Sequence, residues 1–239
     1  MNYLFDVDGT LTDARKPIVK EFKDYFGKWI TFQRSKGNKV YLVTGSDRDK
    51  TVEQIGVDLW RHVDGAYQNC GNVYYEHGKL IRQSTWQMPV DLHYEILTEI
   101  EKSKWYGKAD NNIEERIGMV NMSTLGRSAS AVLRREYYKW DNIRGERKEI
   151  VESLSGKFPD LDFSIGGEIS IDIYPKGMDK SQAINNMDGA CMFFGDRCEK
   201  GGNDHSIAIN CSEYHNVSGW KETYEILEIY KYFTKIVKP

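Results

Sequence analysis

The sequence predicts an α/β fold: a doubly wound, Rossmann-like parallel sheet carrying an inserted α+β cap. Three observations predict it. Short apolar runs at residues 3–5, 40–43 and 190–194 each end in a turn of acidic, hydroxyl or glycine residues, as buried strands feeding loops do. Helical apolar spacing fills the intervals at both ends of the chain, which is how parallel strands are connected. The middle, residues 84–178, has another rhythm, in which helices are mixed with alternating strands.

The opening reads as βαβ. Residues 3–5 run into Asp6-Val7-Asp8-Gly9, and Ile18, Phe22, Phe26, Trp29, Ile30 and Gln33 then share one helical face. The second strand, residues 40–43, runs into Thr44-Gly45-Ser46-Asp47. In the middle, a helix is expected over 90–102, short strands around 117–122 and a charged helical stretch over 130–154. Period-two strands at 163–165 and 169–173 flank Gly166-Gly167-Glu168, the expected hairpin turn. Residues 190–194 read as a further buried strand, followed by the start of a helix at 203–209 and a closing helix at 218–236. The expected domains are a core of residues 1–83 and 179–239 and a cap of residues 84–178.

Composition narrows the function. With 239 residues the chain can bury a core domain and a smaller second one. A net charge of −3 leaves no broad basic field, so nonspecific nucleic-acid binding is not expected, whereas a local basic pocket for a small anion is compatible with it. No apolar run reaches the roughly twenty residues a bilayer requires, and no leader pattern is recognisable; a soluble, cytoplasmic protein with no membrane partner is expected. Cys70, Cys191, Cys198 and Cys211 lack CxxC spacing and read as reduced thiols.

The chemistry is concentrated after the strands. Asp6 and Asp8 stand two residues apart at the carboxyl end of the first strand, where open α/β sheets place their sites. One carboxylate there can attack while the other handles a proton. A plain Asp-Gly turn is the bland alternative. A calcium loop fails, because Leu11 and Pro17 stand where the central glycine and the bidentate glutamate would be needed. The partners follow in order: Thr44 and Ser46 after the second strand, Lys180 before a helical segment, then Asp196 and, after Gly201-Gly202-Asn203, Asp204. Carboxylates gathered around a phosphate require a hard cation, and magnesium with its preference for oxygen ligands suits them. Arg116, Arg127 and Arg134 can bind a second phosphate, since guanidinium forks match phosphate oxygens. Arg135, Arg144 and Arg147 read as solvated surface residues.

The ordered set DVDGTLT, VTGSD, MDK and GDRCEKGGND resembles the four motifs of the haloacid dehalogenase superfamily. That resemblance implies Asp6 as nucleophile, Asp8 as general acid and base, and magnesium held by Asp6, Asp196 and the Asp8 carbonyl with Asp204 in support. ERIGMVNMSTLGRSAS, the helical Arg134, FSIGGEISIDIYPKGMDK and GGNDHSI resemble the eukaryotic-type phosphomannomutase family more specifically. This second resemblance implies that Arg15, Arg116, Asn121, Arg127 and Arg134 bind a hexose phosphate and that Ser170 and Asp172 meet its hydroxyls. It further implies a mutase cycle through a hexose 1,6-bisphosphate, and a homodimer joined through the cap, for which Trp105, Tyr106, Tyr137, Tyr138 and Trp140 are candidate contacts, with core packing the expected role of at least some of them. Mannose and glucose phosphates remain open as substrates. Two departures are Asn69-Cys70-Gly71 after the third core strand and Lys200 in place of a proline. The alternatives are a sugar-phosphate phosphatase and a noncatalytic sugar-phosphate-binding protein.

Overall fold

The computed structural model describes residues 1–185 and 187–236; residues 186 and 237–239, which fall in the expected core segment, lie outside the described residues. In chain order, the first part contains β1 (Asn2–Phe5), α1 (Lys20–Ser35), β2 (Lys39–Val43), α2 (Arg48–Ile55), α3 (Val57–His62) and β3 (Gly65–Gln68), then the hairpin of β4 (Val73–Glu76) and β5 (Lys79–Gln83). Next come α4 (Val90–Lys102), β6 (Ile113–Arg116), β7 (Met119–Met122), α5 (Ala131–Arg144), α6 (Glu146–Lys157), β8 (Leu161–Gly166) and β9 (Ser170–Pro175). The chain returns with β10 (Cys191–Gly195), α7 (His205–Asn210), β11 (Glu213–Asn216) and α8 (Trp220–Ile236).

The large sheet has the order β11-β10-β1-β2-β3-β4-β5. Its first five strands are parallel, and β4 and β5 add an antiparallel edge. Every residue of β1 is buried because both faces of the sheet are covered. Tyr3 and Phe5 pack with Phe22, Phe26 and Trp29 of α1, while Leu4 on the other face packs with Phe193 and Ile207. Phe5 stacks on Phe194 at 4.7 Å and meets Phe26 edge-on at 5.1 Å, so α1 is fixed against the centre of the sheet.

The four-stranded antiparallel sheet has the order β6-β7-β9-β8. Leu92 and Ile96 of α4, Ile150 and Leu154 of α6, and Val120, Ile171 and Ile173 of the strands form its separate core. The helical stretch expected over 130–154 is two helices, because Gly145 adopts a left-handed conformation (φ 75°) that ends one and starts the next. This second layer touches the large sheet at the carboxyl ends of its strands. Arg116 Nη1 donates to the Gly45 carbonyl at 2.5 Å, and the Ile165 amide donates to the Gly201 carbonyl at 3.2 Å. Among the described residues no helix is long and apolar enough to cross a membrane. All four cysteines are free thiols, three of them buried.

Candidate active site

Parallel pairing of β1 with β10 brings the residues just past both strands together, and the Asp6 amide donates to the Phe194 carbonyl at 2.9 Å. Carboxylate oxygens of Asp6, Asp196 and Asp204 all lie within 4.8 Å of one another. Lys180, at the start of a short helical turn (Lys180–Ile184), donates to Asp6 Oδ1 at 2.7 Å and to Asp204 Oδ1 at 2.6 Å. Lys180, Asp6 and Asp204 are all buried. Gly9 completes the enclosure: it has φ 80°, and a Cβ there would fall inside the Asp196 carboxylate.

Three carboxylates therefore face one ammonium. Burial pushes the Asp6 carboxyl well above its ordinary range, with Lys180 pulling it down and Asp204 and Asp196 adding to the rise. Burial and then Asp204 push Asp196 up to about 7. Burial acts against the Lys180 ammonium, but Asp204 and Asp6 outweigh it and hold Lys180 firmly charged. The surplus of oxygen donors over positive charge fits a hard divalent cation such as magnesium.

Asp8 is turned out of this cluster and held by four donors. Its Oδ1 accepts from the Arg15 amide at 2.6 Å and from Gln54 Nε2 at 2.7 Å, and its Oδ2 from Lys50 Nζ at 2.7 Å and Ser46 Oγ at 3.4 Å. Burial raises the Asp8 pKa, but Lys50 and these hydrogen bonds outweigh it, and the net direction is down. Arg15 itself has a left-handed φ of 62° and lines the adjoining cavity.

That cavity lies between the two sheets. From the core it is lined by Asp6, Asp8, Arg15, Thr44, Ser46 and Asp196, and from the cap side by Arg116, Asn121, Arg127, Arg134, Ser170 and Asp172. Asn121 Nδ2 donates to Asp172 Oδ1 at 2.5 Å, and Arg127 Nη1 donates to Asn121 Oδ1. Glu114 pairs with both Arg116 and Arg127. Burial, then Arg15 and Arg127, pull the Arg134 pKa down to about 10, and burial with Arg116 lowers that of Arg127. Cations that crowd and desolvate one another in this way form a site for an anion.

The structure thus gathers every candidate catalytic, substrate-binding and metal-binding residue at or directly behind one cavity. Lys180 and Asp204 are behind it, and the Ser170 hydroxyl is engaged with the Gly166 carbonyl at 3.0 Å. Arg147 corrects the surface reading. It is buried, pairs with Asp141 at 2.6 Å and donates to the Gly166, Gly167 and Ser170 carbonyls, so it braces the β8–β9 turn. Arg135 is exposed and Arg144 pairs with Glu149 at the surface. Trp105 and Tyr137 belong to the cap's own aromatic core, whereas Tyr106 is exposed. Sequence reasoning missed Lys50, Gln54, Glu114 and Arg197. For the first two a signal was available, since they stand four residues apart, on one face of the helix that follows the second motif.

Comparison with known proteins bears on the fold and the family. The family model of eukaryotic phosphomannomutase matches residues 30–232. A phosphomannomutase of Glycine max is 38% identical over 218 residues, covering 85% of each chain. A phosphomannomutase of Saccharomyces cerevisiae is 36% identical over 240 residues, covering 94% of this chain and 91% of its own. Among solved structures, the HAD subclass IIB sugar phosphatase BT4131 superposes with a TM-score of 0.57 at 14% identity, covering 98% of both chains. SMU.1108c from Streptococcus mutans superposes with a TM-score of 0.64 at 13% identity, covering 96% of this chain and 98% of its own. The structures share the α/β fold with its cap, and the sequence relatives go further: the chain belongs to the eukaryotic phosphomannomutase family.

Proposed function

We propose that this chain is a phosphohexomutase that interconverts mannose 1-phosphate and mannose 6-phosphate, with Asp6 carrying the phosphoryl group between them. The observation that carries this reading is a single cavity lined both by the Asp6 carboxylate and by Arg15, Arg116, Arg127 and Arg134. A phosphatase needs one phosphate site; a mutase must hold a second phosphate while the first is transferred.

In the working cycle Asp6 begins as an aspartyl-phosphate. The arginines grip the phosphate of the incoming sugar, and Asn121, Ser170 and Asp172 meet its hydroxyls, leaving the free hydroxyl at the reacting end. Asp8 takes the proton of that hydroxyl while its oxygen attacks phosphorus. The bond from phosphorus to Asp6 breaks, and the electron pair returns to the carboxylate. The hexose 1,6-bisphosphate then turns around. Asp6 attacks the other phosphorus, the bond from that phosphorus to the sugar oxygen breaks, and Asp8 returns its proton to the leaving oxygen. Thr44 and the amides after β2 hold phosphoryl oxygens, and Lys180 balances their charge. A magnesium ion held by Asp6, Asp196 and the Asp8 carbonyl, with Asp204 behind, would neutralise the carboxylates and polarise the phosphoryl oxygens.

Residues 84–178 act in this reading as a cap whose closure excludes water. Val90, Tyr94 and Leu97, exposed along one side of α4, support a homodimer through that cap. The test is an assay with mannose 1-phosphate, magnesium and a hexose 1,6-bisphosphate. Mannose 6-phosphate is the expected product, with turnover falling by about 10³-fold or more in Asp6→Asn. Predominant free phosphate, or an active Asp6→Asn enzyme, would contradict the proposal.

A further inference from the structure

Arg197 follows Asp196 on the loop between β10 and α7 and touches three parts of the molecule. Its amide donates to Asp204 Oδ2 at 3.1 Å, and its carbonyl accepts from the Asp204 amide at 3.2 Å, so its main chain is closed onto a member of the acid cluster. Its Nε stands 3.8 Å from Asp196 Oδ2, the second member. Its Nη2 donates across to the cap, to the Gly167 carbonyl at 3.0 Å, and the guanidinium lies 5.3 Å from the ring centre of Tyr138 on α5. Arg147 donates to the same carbonyl at 3.2 Å from within the cap and so fixes its direction. Close by, the Ile165 amide donates to the Gly201 carbonyl at 3.2 Å, a main-chain bridge between this loop and the β8–β9 hairpin.

We infer that Arg197 is the positioning residue that ties docking of the cap to the acid cluster, and that it thereby sets how the phosphoryl group divides between sugar and water. This rests on the proposed mutase reading. Loss to water is a balanced step of its own. A water oxygen attacks phosphorus, the bond to Asp6 breaks with its electron pair left on the carboxylate, a proton passes to Asp8, and inorganic phosphate leaves. A bound sugar under a docked cap blocks that attack, and a cap held less often gives water more time at the phosphorus. The link reaches the Asp196 and Asp204 side of the site, so undocking also loosens the loop that carries those carboxylates.

Three variants separate this role from a purely electrostatic one. Arg197→Ala removes the link. Tyr138→Leu removes only its platform on the cap and changes no charge. Lys200→Ala removes an exposed charge from the same loop. Two readouts apply to each: hydrogen exchange of the backbone amides of residues 161–175 in the magnesium-loaded enzyme, and the ratio of free phosphate to hexose 6-phosphate formed from mannose 1-phosphate and hexose 1,6-bisphosphate. Arg197→Ala should speed exchange of the hairpin and raise the ratio roughly tenfold, the scale of one charged hydrogen bond. Tyr138→Leu should move both in the same direction by less, and Lys200→Ala should move neither. Unchanged exchange in Arg197→Ala would overturn the link. Faster exchange with an unchanged ratio, or a Tyr138→Leu enzyme identical to wild type, would overturn its control of partition. If the wild-type enzyme yields only free phosphate, the mutase reading fails instead, and hairpin exchange alone decides the link.

Discussion

Asp6 is held where its charge is useful and costly at once, buried beside two other carboxylates with Lys180 as their shared counter-charge. The arginines show the opposite imbalance. Arg134 is held down at about 10 by burial and by its cationic neighbours, a cost that a bound phosphate relieves. Arg134→Ala should therefore raise KM by about tenfold to a hundredfold while changing kcat much less, as steady-state kinetics would show. Glu114 offers a second check. Burial raises its pKa, but the hydrogen bond from Arg116 and the charge of Arg127 outweigh it, so the folded value lies below the unfolded one. Its stabilising effect is then complete above the unfolded value of about 4.3 and is lost as pH falls through the folded value. Glu114→Gln should melt earlier than wild type at neutral pH, with the gap closing at acid pH; a gap independent of pH would contradict the pairing. Asp6, Asp8, Lys180 and Asp196 were legible in the sequence because turn motifs after strands fix their order. Glu114 was not, since a polar residue on a strand reads as solvated until its partner is known.

Elements were legible where apolar spacing was strong. The face of α1 from Phe22 to Ile30 is the face that packs against β1, and the cap hairpin β8–β9 turns within a residue of the expected place. The charged run of α5 and α6 is legible only as a helical stretch, because its period is weak and lysines and glutamates crowd it. Arg147 lies in that run, yet its partner Asp141 lies on the preceding helix and its carbonyl acceptors come from a turn about twenty residues later. Removing it leaves Asp141 buried without its counter-charge. Arg147→Met should cost about 3–5 kcal/mol in urea unfolding, and the loss should be smaller in Arg147→Met/Asp141→Leu. A single variant as stable as wild type would show that the turn does not depend on this pair.

In the whole molecule, two layers that each bury their own core meet at the carboxyl ends of the parallel strands. The parallel order followed from buried strands joined by helices. The antiparallel edge of β4 and β5 did not, because β5 is exposed along its length and carries no core periodicity. The approach of cap to core was legible only through the family resemblance, since contacts such as Arg116 with Gly45 join residues far apart in the chain. In the proposed cycle it is this approach that lets Asp6 shuttle phosphate between two sugar positions. The direct test is a chase. The enzyme is loaded with hexose 1,6-bisphosphate labelled in its phosphates, freed of ligand, and mixed with unlabelled mannose 1-phosphate and magnesium. Label should be found on Asp6 after loading and should leave in hexose phosphates after the chase. Label that never reaches Asp6, or that leaves chiefly as inorganic phosphate while mannose 1-phosphate is bound, would contradict it.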